Sequence, residues 1–307
     1  MSARTKALIG VFAWLAFSLP QTPNVHHGIW GHVLVQFAAL VIAPSLIEVV
    51  RRSGDNAMIA WAARLQLPAA LLLVVAFRFE NGEMWGIVSA AAWAGVLTML
   101  AVGGLMRVRS GGERSPPRWC REGGLVFAVV GAAWLIADRA GMRPLGFSAD
   151  IVLLTAVHFH YAGLILPVIA GEALAEWRRP LAARVIAGGV LAGVPAVAVG
   201  ITASQLGWSS SIELAAALVM AVSGAAVGVV HVALGLGRKA TMSVRCLWVV
   251  AGCSLIAGML LAALYGMRGV FAPWPWLDIP WMRALHGTVN ALGFGFCGTL
   301  AWWRTEK

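Results

Sequence analysis

Charge is scarce in this sequence. Asp, Glu, Lys and Arg make up 12% of its 307 residues, where a water-soluble chain carries about 25%. Acidic groups are the rarer kind, 13 against 23 Lys and Arg, and none falls in the middle of an apolar run. Long polar stretches are missing too. The longest is RVRSGGERSPPRWCREGG at 107–124, which leaves no room for a soluble domain. There is no Gly-rich phosphate loop and no nucleic-acid motif. Cysteine is limited to four residues. Cys120 lies in the polar 107–124 segment and Cys246, Cys253 and Cys297 lie in apolar runs. A structural disulfide is therefore not expected, and no CxxC pair offers a zinc site.

What fills the chain is apolar sequence. It is 60% hydrophobic with mean hydropathy +0.81. A helix needs about 20 apolar residues to cross the hydrocarbon of a bilayer. Ten such runs are present, at 5–20, 29–50, 57–78, 85–106, 123–138, 150–173, 184–203, 211–236, 246–267 and 282–303. They are rich in Ala, Leu and Gly and do not alternate as barrel strands do. The expectation is all-α: one polytopic transmembrane helical bundle over 1–307, with the lipid bilayer as its solvent. The first run lacks a small-residue cleavage site and reads as a retained helix.

The basic excess sets orientation. In a ten-helix trace, seventeen of the 23 Lys and Arg fall on one side, including Arg51, Arg52, the 107–121 group, Arg178, Arg179, Arg238 and Lys307. The opposite loops hold Arg78, Arg139, Arg143, Arg268 and Arg283, and Arg64 lies inside the third run. Positive charge is retained in the cytoplasm, which predicts both termini there. Gly189 with Gly193, and Gly224 with Gly228, have the spacing that lets membrane helices approach closely. Pro44, Pro68, Pro167 and Pro195 are expected to interrupt helices 2, 3, 6 and 7.

Against this background VHFHYAG at 157–163 stands out. It places His158 and His160 inside an apolar run, about 12–15 Å below the outer end of helix 6 at roughly 1.5 Å per residue. Ionisable groups at that depth face the bundle interior or a pathway, or bond a neighbouring helix. Successive helical residues turn by about 100°, so the two rings point to opposite faces and cannot chelate one small ion together. His26, His27, His32 and His286 also fall in the outer half, and only His231 is near the cytoplasmic side.

HFHY is similar to the histidine motif of haem–copper oxidase subunit I. That resemblance implies a high-spin haem on His158 and a low-spin haem on His160, with His32 on helix 2 as the other axial ligand. Here the motif falls on helix 6, without HxxxY or paired mid-membrane histidines, so a copper centre is not implied; a haem or a single metal ion is. The longer phrase TAVHFHYAGLILPVIAG, 155–171, resembles the YndJ-like family of bacterial integral membrane proteins. That implies a multi-pass protein of the bacterial inner membrane, in a family sometimes labelled as transporters, and fixes no activity.

Two further pairs share a helix face at i and i+4: His286 with Asn290 in LHGTVNALGFGF, and His32 with Gln36. Tyr161 follows His160. The sequence thus predicts an outer-half pocket in which His32, His160 and His286 converge on a haem or metal, with Gln36, Tyr161 and Asn290 around them. A carrier of a small solute or proton, and a purely structural or assembly role, remain open beside it. The Pro- and Trp-rich 269–285 reads as an extended belt at the outer surface, an interfacial anchor or a lid over the histidines.

The charge split yields a direct test. A reporter fused after Lys307 should be active only as a cytoplasmic fusion, and periplasmic activity would invert the whole trace.

Overall fold

The computed structural model describes residues 1–21, 28–111, 115–271 and 274–305. They form ten helical rods, called α1 to α10: 3–21, Ile29–Arg52, Ala57–Ala76, Met84–Arg109, Pro116–Arg139, Ala149–Ala175, Pro180–Gln205, Ser210–Gly237, Met242–Gly269 and 279–304. Eight of these, α2 to α9, are long and apolar enough to cross a bilayer. No strand occurs among the described residues. The rods match the apolar runs to within a few residues, with one exception. α5 starts at Pro116, inside the segment read as a polar loop. Proline suits the first turn of a helix, where its missing N–H is not needed. The charged residues that follow are paired: Glu122 with Arg107 at 2.9 Å and Arg121 with Glu172 at 3.4 Å.

The chain divides into two compact units, Met1–Gly112 with Glu122–Val168, and Glu113–Arg121 with Ile169–Lys307. The centre of the first unit is α2. Val35, Ala39, Leu40 and Ile42 are fully buried, as expected of a helix that is apolar on all sides. α2 is also bent. Residues Ala38–Ile42 form a π turn directly before Pro44. Having no N–H, Pro44 cannot donate back into that turn, and the carbonyls of Ala39 and Leu40 there face other helices. Neighbouring helices attend to both. Gln66 of α3 donates to the Ala39 carbonyl at 2.7 Å. Gly10 of α1 lies against the Leu40 carbonyl, where any Cβ would overlap the oxygen. Trp14 donates to the Val33 carbonyl at 3.1 Å, and Ser18 to the Gln36 side chain.

The prolines thus behave in two ways. Pro44 and Pro167 each follow a π stretch, the second being Phe159–Ile165 in α6. Pro68 and Pro195 instead lie inside continuous helices, so α3 and α7 are not interrupted as the sequence suggested.

In the second unit small residues set the spacing of α7, α8 and α9. A Cβ on Gly193 would come within 2.9 Å of Met220 Sδ, and one on Gly228 within 2.7 Å of the Gly252 carbonyl. The expected small-residue faces are therefore real packing surfaces, in which missing side chains let the backbones touch.

Arg139, counted in the sequence as an outer-loop cation, is 2% exposed. Its Nε and Nη2 bond Asp138, both at 2.9 Å; Nη1 reaches the carbonyls of Ala76 and Phe79; Nη2 also meets Asn81 Oδ1. The guanidinium lies 4.7 Å from the centre of the Phe77 ring. All five N–H groups are occupied, and the end of α5 is locked to the α3–α4 turn. Breaking a buried pair leaves one charge uncompensated, at about 3–5 kcal/mol. Arg139→Met should lose stability of that order on unfolding in detergent, and Asp138→Asn in the same chain should restore part of it. A loss near zero would mean that the clamp carries no load.

Candidate functional site

His160 sits in the π stretch of α6 and is 2% exposed. Trp93 of α4 brings its indole Nε1 to 3.0 Å from the ring's Nε2, while Nδ1 lies 2.7 Å from the Ala156 carbonyl. The roles follow from the partners. An indole N–H can only donate and a carbonyl can only accept. Nε2 must therefore carry the lone pair and Nδ1 the proton. The ring is neutral and both nitrogens are engaged. Gly131 lies beside it, where a Cβ would be 3.4 Å from Nδ1.

The second unit repeats the device. His231 of α8 is fully buried. Its Nδ1 bonds the Val227 carbonyl at 2.9 Å and its Nε2 accepts from Trp302 Nε1 of α10 at 3.2 Å. The spacing is the same in both units: an imidazole tied to the carbonyl four residues back and to a tryptophan on another helix. Arg238 lies over the Trp248 and Trp302 rings and pairs with Glu176 at 3.4 Å. Sequence reasoning passed over His231 as the inner-side outlier. Its partner is 71 residues away, and no local motif announces it.

The other residues expected around the outer-half pocket have partners of their own within their units. His32 stacks on Phe77, ring centres 4.2 Å apart, beside the Arg139 clamp. Gln36 does not orient His32; it accepts from Ser18. Tyr161 does not serve His160 either. Its hydroxyl donates to the Leu34 carbonyl of α2 at 2.8 Å. His158 packs edge-on to Phe159. Metal or haem ligation at His160 would require Nε2 to give up the Trp93 bond. Among the described residues no group of three or more His, Cys, Asp or Glu could hold a metal ion. His26 and His27 lie outside the described residues.

The other i, i+4 pair does meet. His286 Nδ1 bonds the Gly258 carbonyl of α9 at 2.8 Å, and Asn290 Nδ2 donates to the His286 carbonyl at 2.8 Å. Gly258 leaves the space that Asn290 fills. With Nδ1 as the donor, His286 Nε2 holds a lone pair whose nearest donor, Asn290 Nδ2, is at 3.4 Å, long for a hydrogen bond. Asn290 Oδ1 is buried and accepts no bond from the protein. Two acceptors therefore lie together with no strong donor. Both residues belong to π stretches, Met282–Gly287 and Val289–Phe296, an uncommon geometry that recurs at functional sites.

Comparison with known proteins bears on the chain as a whole. The family model described as YndJ-like protein matches residues 33–294. Membrane protein YndJ of Bacillus subtilis (strain 168) is 28% identical over 193 residues, 60% of this chain and 32% of that protein. The chain thus spans about a third of the length of the curated relative it matches. No solved structure matches.

The tie between His160 and Trp93 can be measured. In a double-mutant cycle of Trp93→Phe and His160→Ala, unfolding in detergent should show a coupling of about 0.5–2 kcal/mol. Trp302→Phe combined with His160→Ala should show none. Equal coupling in both cycles would deny a specific bond.

Proposed function

The chain belongs to the YndJ-like family of membrane proteins, and on that premise we propose that it is a membrane carrier whose transported or coupled species is a proton, taken up at His286 and Asn290. The carrying observation is a pair of acceptors with little or nothing to accept, His286 Nε2 with only a long 3.4 Å contact to Asn290 Nδ2 and Asn290 Oδ1 with no bond from the protein, on consecutive π turns of α10. Imidazole is the side chain whose ordinary titration range spans neutral pH. Helices with an interrupted backbone ladder are the usual setting of intramembrane binding sites. The reading divides the histidines. His160 and His231 are interhelical ties, and His286 is the working group. The haem or single-metal alternative, built on His32, His158, His160 and His286, has less support, because His160 has no lone pair to offer while Trp93 holds it.

The same proposal places the protein in the bacterial inner membrane with both termini in the cytoplasm. The seventeen-to-six charge split supports this. So does the pairing of Arg139 with Asp138, which takes one of the five outer-loop cations out of the count. The chain then acts as one transmembrane domain of two units.

Vesicles holding the purified protein and a trapped pH-sensitive dye test the reading. An imposed pH gradient should collapse faster than in protein-free vesicles, and His286→Ala and Asn290→Ala should each remove most of that rate while remaining folded. Proton movement no faster than in protein-free vesicles would overturn it. A Soret band with stoichiometric iron in the purified protein would replace it with the haem alternative.

A further inference from the structure

The connection between α9 and α10 encloses an open cavity of about 390 Å³, lined by Tyr265, Arg268, Trp274, Leu277, Asp278 and Pro280 among others. It lies wholly within the second unit and shares no lining residue with the His286–Asn290 pair. Several features give it a chemical character. Arg268 is fixed in place: its guanidinium stands 3.9 Å from the centre of the Tyr265 ring, with Nη1 on the Tyr265 carbonyl at 3.0 Å and Nη2 on Glu213 at 2.7 Å. Those bonds use two of its five N–H groups, so the cation can still meet an anion. Asp278 is fixed as well. One carboxylate oxygen caps the turn Ile279–Trp281 by accepting from Trp281 N at 3.1 Å. Trp274, Trp276 and Trp281 are exposed and in mutual ring contact, at 6.0 and 5.7 Å between centres.

We propose that this cavity binds the headgroup of a zwitterionic phospholipid of the phosphoethanolamine type, with the phosphate on Arg268 and the ammonium on Asp278 and Trp274. Location supports it. The cavity joins two apolar rods at their ends, and exposed tryptophans settle at the headgroup level of a bilayer. Charge complementarity supports it too. One fixed cation and one fixed anion in a single cavity match a ligand that carries both signs, and an exposed tryptophan face attracts an ammonium. The volume lies in the usual range of about 300–1,000 Å³ for small-ligand sites. Burial of Leu277 beneath the rim gives the connection a floor, so the site is held by its own packing. Of the stretch expected as an extended belt, residues 279–285 are helical as the start of α10, and the connection before them is then an anchor that recognises a lipid and not a lid over the histidines.

Native mass spectrometry of the detergent-purified protein tests the proposal, with dioleoyl phosphoethanolamine and dioleoyl phosphoglycerol added at equal concentration. The wild type should retain the phosphoethanolamine lipid in preference to the phosphoglycerol lipid. Asp278→Asn keeps a good N-cap acceptor and therefore the fold, and should abolish the preference. Arg268→Gln should reduce retention of both lipids. Equal retention of the two lipids by the wild type would overturn the proposal. So would an unchanged preference in Asp278→Asn, or full displacement of the lipid by inorganic phosphate, which would mark a free-anion site. None of these readouts depends on proton movement, so the site and the carrier reading can fail separately.

Discussion

A backbone carbonyl inside a bilayer has no water to turn to, so it must find a donor within the protein. Much of the first unit follows from how it meets that constraint at one place. At the π turn before Pro44 two carbonyls of α2 meet neighbouring helices. Gln66, brought by α3, supplies a donor to one, and the bare backbone of Gly10 in α1 covers the other. Trp14 and Tyr161 add bonds to carbonyls one turn earlier. α2 is thereby held by side chains from α1, α3 and α6. Tyr161, which looks like a site component in the sequence, bonds the main chain of α2.

The same economy governs the imidazoles. His160 and His231 each meet a tryptophan donor and a carbonyl acceptor, so each is complete as a neutral ring. A ring so engaged adds specificity to helix packing without carrying charge into the apolar interior, where an unpaired polar group is costly. His286 is the contrast. Its Nδ1 is bonded as firmly as theirs, but no tryptophan closes the other side. That difference in partners, and not a difference in residue type, sets His286 apart from the two ties.

Charge is handled by pairing. Arg107 with Glu122, Arg121 with Glu172, and Arg139 with Asp138 are all largely buried. Pairs of this kind are weak sources of net stability, because desolvation offsets most of the attraction, but removing one partner is severe. They therefore serve to define where helices end and which turns they meet. Arg139 shows this most fully, with every donor committed at the α3–α4 turn.

Ten rods, their order, their approximate ends and the small-residue faces of α7 and α8 were legible in the sequence, because hydropathy and length add up along the chain and lipid rewards them locally. The start of α5 was not, since its polar first turns are stabilised by Glu122 and Arg121 finding partners far off in sequence. The continuity of α3 and α7 through Pro68 and Pro195 also escaped, because a proline's effect depends on what surrounds the carbonyl it frees. The i, i+4 geometry of His286 and Asn290 was readable, as helix periodicity alone places them side by side. The partners of His32, Gln36, His160 and Tyr161 were decided by tertiary structure. Trp93 lies 67 residues from His160 and Leu34 lies 127 from Tyr161, and a hydrogen bond's partner depends on which helices pack together, which no local pattern records.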